Sequence, residues 1–162
     1  AASDVYKRQL EGSFDGSFDS GKGSLYLDEN EAVIRGEFKD GKLVGSAFIF
    51  YATPEGEMYF GDMLDGARDG FGTLVHPNED SYTGEFESGV ASGNGIYEYE
   101  NGSLVMGEFE SGSPNGVATV IDVDDVAYQG VFKDGKADGL ILVTKADGSQ
   151  SVETWVNGEK QK

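Results

Sequence analysis

Residues 82–95 read Tyr-Thr-Gly-Glu-Phe-Glu-Ser-Gly-Val-Ala-Ser-Gly-Asn-Gly, and this stretch decides the fold. Its pattern, aromatic-x-Gly-x-aromatic-x-x-Gly-x-x-x-Gly-x-Gly, recurs along the chain. Copies begin at residues 10, 34, 59, 82, 105, 128 and 151, and the last copy is incomplete. Four of the six steps between copies are 23 residues long, and the other two are 24 and 25. A fixed period of this length is the signature of a repeat architecture.

Each copy is predicted to form a β-hairpin. Side chains alternate between the two faces of a strand, so positions one, three and five of a copy share one face. That face is aromatic, glycine, aromatic, and a neighbouring ring can cover the gap that the glycine leaves. In the second strand, the residue four positions after the third glycine should join this face. These residues are Leu25, Ile49, Leu74, Tyr97, Val120 and Val143.

Asp-Gly and Asn-Gly pairs predict the hairpin turns, because both residues of such a pair readily adopt positive φ. The turn pairs are Asp40-Gly41, Asp65-Gly66, Asp134-Gly135 and Asn157-Gly158. Further turns, at residues 100–102 and 146–148, are expected to connect one copy with the next.

The pattern and its 23-residue step resemble the MORN repeat (membrane occupation and recognition nexus), and the resemblance covers Leu10 to Gly158. The chain departs from the pattern at Ser17, Ala47, Met63, Ala118 and Ile141 and in its last, incomplete copy. The resemblance implies an all-β fold in which consecutive hairpins extend one elongated, twisted antiparallel sheet. It also implies scaffolding at cytoskeletal, ciliary or membrane-adjacent assemblies, and a disputed role in binding phosphoinositides.

The predicted domain organisation is one repeat domain over residues 10–162. Residues 3–9, Ser-Asp-Val-Tyr-Lys-Arg-Gln, resemble the translation of a transposon end that is used in preparing sequencing libraries. We therefore set residues 1–9 apart as a sequence-assembly scar, with a natural N-terminal strand or tail as the alternative.

The opposite face of the predicted sheet differs from copy to copy and carries the candidate binding residues. It is polar in the copy at residue 82 and apolar on either side of that copy. An exposed apolar patch usually marks an interface, whereas a sheet that curls, or a covering segment, would make the same residues ordinary core. The candidate partner-binding residues are Phe48, Phe50, Phe60, Leu64, Phe71, Val75, Val117, Ile121, Leu140 and Leu142, with Val131 beside them.

Composition excludes several classes of function. The chain has no cysteine, which excludes disulfides, thiolate metal sites and cysteine nucleophiles. Its 30 acidic and 12 basic residues give a net charge of −18, which repels nucleic acid and anionic lipid. We expect a protein partner or a homodimer, no nucleic acid, disfavoured binding of membrane lipid, and a cytoplasmic location.

No motif for catalysis, a cofactor or a metal is visible. The single histidine, His76, precedes a proline at a predicted strand end, and no nucleophile motif accompanies it. Asp122, Asp124 and Asp125 lack the glycine and the closing glutamate of a calcium loop, so we interpret them as a solvated turn. We therefore expect no enzyme activity and no cofactor.

Two functions remain open. The first is a non-enzymatic interaction or scaffold module that docks a partner or self-associates through its sheet faces. The alternative is the non-catalytic MORN region of a larger enzyme. Residues 93–139 are similar to the region that precedes the catalytic domain of SET-domain lysine methyltransferases, and MORN segments also precede lipid kinases. The likeness is carried by residues 95–102, 114–118 and 128–134.

Overall fold

The computed structural model describes residues 8–14, 20–27, 32–51 and 56–162, and every helix or strand in these ranges is a β-strand. The chain divides into two compact units, Ala1–Pro77 (unit 1) and Asn78–Lys162 (unit 2). The strands of unit 1 are β1 (Arg8–Phe14), β2 (Gly21–Leu27), β3 (Ala32–Lys39), β4 (Lys42–Tyr51), β5 (Met58–Leu64) and β6 (Ala67–Val75). The strands of unit 2 are β7 (Ser81–Glu87), β8 (Val90–Glu98), β9 (Leu104–Glu110), β10 (Ser113–Ile121), β11 (Ala127–Lys133), β12 (Lys136–Thr144), β13 (Gln150–Val156) and β14 (Glu159–Lys160).

Within each unit, every strand pairs antiparallel with the next strand along the chain. This confirms the predicted all-β fold of consecutive antiparallel hairpins. β1 begins at Arg8, so the last two residues of the segment 1–9 belong to a strand. Residues 1–7 lie outside the described residues, and the scar and the single domain over residues 10–162 stay predictions.

A tyrosine ring covers a pair of glycines in the copies that begin at Tyr59 and Tyr82. We call the face with repeat positions one, three and five the inner face, and the opposite face the outer face. Gly84 pairs with Gly95 across β7 and β8, and a Cβ on Gly95 would lie 2.5 Å from Cζ of the Tyr82 ring. The Tyr59 ring lies in the same way over Gly72. Both tyrosines are buried, which confirms that rings fill the gaps left by glycine.

Aliphatic side chains fill the same gap where the pattern departs from glycine. Ile141 replaces the last glycine of its copy and is fully buried opposite Gly130. A Cβ on Gly130 would lie 2.6 Å from Cδ1 of Ile141. In this copy Ile141, and not the Tyr128 ring, fills the space beside the glycine. The Tyr128 ring lies near the turn after β10, where its hydroxyl donates to Oδ2 of Asp122 at 3.4 Å. The departure at Ile141 therefore preserves the packing.

The remaining inner-face predictions also hold. Met63 and Phe86, at position five of their copies, are both buried, so methionine takes the place of the ring. In the second strands, Leu74 pairs with Tyr59, and Tyr97 pairs with Tyr82, which confirms that these positions join the inner face.

A β-bulge interrupts each complete hairpin from β3 to β12. In β5 and β6, Gly61 pairs with Gly72 but Met63 pairs with Arg68, so three residues of β6 lie opposite one residue of β5. Bulges bend a strand and leave backbone groups unpaired. An outer-face carboxylate bonds one of these groups: the Asp62 side chain accepts from Phe71 N at 3.3 Å. Glu85 accepts from Asn94 N at 3.1 Å, and Glu108 accepts from Val117 N at 3.2 Å.

The hairpin turns have positive φ at both central residues, as predicted for the Asp-Gly and Asn-Gly pairs. Asp65 and Gly66, for example, have φ values of 51° and 87°. The same geometry occurs at Ser88-Gly89 and Ser111-Gly112. These two turns were not predicted, because their first residue is serine and not aspartate or asparagine.

The turn glycines of four hairpins also bond to the preceding copy. Gly112 N donates to Ala91 O at 3.0 Å, and Gly135 N donates to Pro114 O at 2.8 Å. Equivalent bonds join Gly66 to Leu43 and Gly158 to Ala137. The bent tips of neighbouring hairpins are therefore linked within each unit.

Replacing Gly95 with alanine should destabilise the protein by about 2–3 kcal/mol, because the new methyl group would collide with the buried Tyr82 ring. The control is Gly102→Ala, at a turn where a Cβ meets nothing within 4 Å and only a φ of 86° opposes it. This control should lose about 1 kcal/mol. Urea unfolding of both variants measures the difference, and equal losses would contradict the packing role of the glycine.

Candidate functional site

The outer face of unit 1 brings together five of the predicted binding residues. Phe48 pairs with Phe60. Phe50 pairs with Met58, which pairs in turn with Val75. These side chains form two adjacent rows across β4, β5 and β6. We call them the unit 1 patch, which comprises Phe48, Phe50, Met58, Phe60, Phe71 and Val75.

Exposure within the unit 1 patch is uneven. Phe60 is 64% exposed and Phe71 is 59% exposed, whereas Phe48 and Val75 are half-buried. Phe71 lies in the bulge, two residues before the partner of Phe60 on the same strand. Leu64 is exposed but lies beyond the bulge beside the hairpin turn, so the structure does not place it in the two rows.

The outer face of unit 2 holds the other predicted residues in a looser arrangement. Val117 pairs with Val131, and both are exposed. Leu140 is 68% exposed, whereas Ile121 and Leu142 are half-buried. Glutamine and threonine side chains separate these residues, so unit 2 presents scattered apolar groups where unit 1 presents adjacent rings.

The exposed apolar residues on the outer face that were not predicted include Met58 and Val152. Met58 lies between Phe50 and Val75 in the unit 1 patch, and Val152 pairs with Leu142 in unit 2. Met58 lies one residue before the start of its copy, so counting positions within single copies misses it, whereas Val152 is position two of the incomplete last copy.

The inner face of unit 2 contains a groove formed by two adjoining cavities. One has a volume of about 410 Å³ and the other of about 420 Å³. Val120 and Gly135 line both of them. Six rings line the groove, which we call the aromatic groove: Tyr97, Tyr99 and Phe109 in the first cavity, and Tyr128, Phe132 and Trp155 in the second.

Three rings of the aromatic groove hydrogen-bond a carboxylate. The Tyr97 hydroxyl donates to Asp80 at 2.9 Å, and Trp155 Nε1 donates to Glu153 at 3.1 Å. Tyr128 donates to Asp122, as described above. Burial, followed by the hydrogen bond to Asp80, raises the pKa of Tyr97 to about 12. Burial also raises the pKa of Tyr128, and Asp122 adds to this effect.

A cation lies over the inner-face ring of the third copy, in unit 1. The guanidinium carbon of Arg68 is 5.4 Å from the centroid of the Tyr59 ring. Arg68 Nη2 lies 2.5 Å from Oε2 of Glu57, whose other oxygen lies 3.2 Å from Nδ1 of His76. His76 therefore belongs to a charged cluster around a structural ring.

The aspartates after β10 form a turn, as predicted. Oδ1 of Asp122 accepts from the backbone N–H groups of Asp124 and Val126, at 2.9 and 3.0 Å. Within residues 8–14, 20–27, 32–51 and 56–162, no group of three or more acidic or histidine side chains has the arrangement of a metal site. The same ranges contain no helix long and apolar enough to cross a bilayer.

Comparison with protein families identifies the repeat. The family model described as the MORN repeat matches residues 35–52, 59–81, 82–104 and 128–140. Three of these matches begin at repeat starts read from the sequence. The copy at residue 105 is not among the matched segments, although β9 and β10 form the same bulged hairpin. No curated protein matches the chain.

Stability should fall in alkaline solution because of the buried tyrosines. The pKa of Tyr59, Tyr82 and Tyr97 is raised from 10.0 to about 12, chiefly by burial, so the folded chain keeps these protons where the unfolded chain loses them. Their contribution is fully present below about pH 10 and is lost as the pH rises through about 12.

Urea midpoints measured across this pH range test the effect. Tyr82→Phe removes one of the titrating groups and should show a smaller alkaline loss, after a cost of about 1 kcal/mol at neutral pH for its missing hydrogen bonds. A midpoint that stays constant up to about pH 12 would contradict the assignment.

Proposed function

Because the chain is built of MORN repeats, we propose that it is a non-enzymatic protein-interaction module that docks a protein partner, or a second copy of itself, through the outer face. Repeats of this family are commonly protein-interaction or membrane-associated modules and are in general non-catalytic. The unit 1 patch is the observation that carries the proposal for this chain.

Exposed rings in adjacent rows support docking over a role as ordinary core. Phe60 and Phe71 remain more than half exposed with all the described strands in place. Covering one such ring fully contributes about 1.5–3 kcal/mol, so a partner that covers the patch gains a substantial part of its binding energy there. Single exposed apolar residues are normal, whereas paired rows of rings are typical of interfaces.

Charge favours a protein over a membrane as the partner. The net charge of −18 opposes anionic lipid headgroups, and the outer face of unit 1 itself carries Asp62 beside the rings. Aromatic side chains with a charged rim are typical of protein–protein interfaces.

The double variant Phe60→Ser with Phe71→Ser should keep the fold and lose the interaction, since both rings are exposed. A photo-crosslinking residue at position 58 should form adducts in the parent chain and lose them in the double variant. Sedimentation of the purified chain shows whether the adduct is a second copy.

The matched control is Val123→Ser, which removes an equally exposed apolar side chain at a turn outside the patch. It should leave the adducts unchanged. Equal losses in both variants would contradict the proposal, and unfolding of the double variant would show that the rings are core.

Flotation with liposomes that contain phosphoinositides tests the membrane alternative. We expect no flotation at physiological salt, because the chain and the lipid are both strongly negative. Salt-sensitive flotation would overturn this expectation and favour a membrane-binding role.

A further inference from the structure

Unit 2 has no arginine at the repeat position where unit 1 has Arg68, although Lys136 lines the second cavity of the aromatic groove. In the third copy, Arg68 lies over the Tyr59 ring and pairs with Glu57. The position of Arg68 recurs every 23 residues and is occupied in unit 2 by small side chains. These are Ala91, Pro114 and Ala137.

Two of these three positions border a cavity, and Ala91 lines neither. Pro114 lines the first cavity and Ala137 lines the second. The groove is therefore the space left when the position of Arg68 carries a side chain that does not reach the rings.

Three rings of the groove in unit 2 are hydrogen-bonded to carboxylates, which are the groups that pair with a cation. Asp80 occupies the position of Glu57 one copy later, and it holds the Tyr97 hydroxyl. Asp122 holds the hydroxyl of Tyr128, and Glu153 holds Trp155 Nε1 but is already paired with Lys160 Nζ at 2.6 Å. A carboxylate has about four acceptor positions, and Asp122 accepts three hydrogen bonds, which leaves one position for an incoming donor. Each site thus combines a ring with an adjacent negative charge.

We propose that the aromatic groove binds an extended segment of a protein partner that carries arginine at every third residue. Guanidinium is favoured over ammonium because it is planar, stacks on rings and bonds carboxylates with two N–H groups. Within this chain, Arg68 lies over a ring and bonds Glu57 through Nη2. This proposal concerns the inner face and does not depend on the outer-face patch.

Strand spacing sets the arginine spacing. Successive copies are two strands apart, which is about 9.6 Å at the usual separation of paired strands. In a polyproline II segment, side chains three residues apart share one side and are about 9.3 Å apart. In a fully extended β-strand, side chains alternate between the two sides, so side chains three residues apart would point to opposite sides.

A synthetic peptide of repeating Pro-Pro-Arg units is the probe, and Trp155 is the reporter. Trp155 is the single tryptophan of the chain and lines the groove, so its fluorescence should change on binding. The same peptide with citrulline in place of arginine should bind about five- to thirtyfold more weakly. A Pro-Arg peptide, with arginine at every second residue, should also bind more weakly although its charge density is higher.

Variants of the full chain locate the binding. Asp122→Asn keeps the turn hydrogen bonds through its side-chain oxygen and should weaken peptide binding by about three- to tenfold. Asp147→Asn removes the same charge from a turn with the same type of hydrogen bond, to Ser149 N, and should change the affinity less than twofold. Ala137→Arg places a guanidinium at the position of Arg68 and should abolish peptide binding while urea unfolding shows that the fold is kept.

Several results would overturn the proposal. These are no binding of the arginine peptide, equal binding of the citrulline peptide, and equal weakening by Asp122→Asn and Asp147→Asn, which would indicate attraction by net charge alone. A fluorescence change that follows protein concentration without peptide would instead place a second copy in the groove. Loss of outer-face crosslinks would leave these measurements unaffected.

Discussion

In the third hairpin, and again in the fourth, a tyrosine ring packs on a pair of facing glycines and holds the two strands of that hairpin together. Two glycines within strands cost about 1–2 kcal/mol in chain entropy. Burying the ring over them stabilises the fold by about 1.5–3 kcal/mol. The ring hydroxyl also donates to a backbone carbonyl oxygen at the bulge, that of Asp62 for Tyr59 and that of Glu85 for Tyr82. The balance is favourable only if the ring and both glycines occur together. This explains why Ile141, which replaces one glycine, is accompanied by displacement of Tyr128.

Because this packing is internal to each copy, the differences between copies fall elsewhere. The outer face varies freely except at the carboxylates that bond the bulge amides. On the inner face, Arg68 lies over the Tyr59 ring, whereas Pro114 and Ala137, at the same position of later copies, border the cavities of the aromatic groove. Architecture and recognition therefore use different positions of the same 23-residue unit.

The sequence was sufficient to predict the hairpins, their turns and the two faces, because periods of two and of 23 residues are visible in the order of residues alone. The role of Glu85 was not visible, because it depends on a bulge amide that only the strand register leaves unpaired. The same register brings Arg68 to Tyr59, a contact that simple alternation does not predict. Met58 was missed because the outer face continues across the boundary between copies. Which surface binds a partner depends on exposure and on the partner, and neither is encoded in spacing.

The four hydrogen bonds from a turn glycine to the preceding hairpin share one direction, since the later copy donates and the earlier copy accepts. The copies that begin at residues 105 and 128 therefore each present the same donor on one side and the same acceptor on the other. Such a chain can gain or lose a whole copy by tandem duplication or deletion of its gene without any new junction having to evolve. The length of the repeat domain can then change by one copy at a time. Point substitutions at the positions that line the aromatic groove can meanwhile change what each added copy recognises.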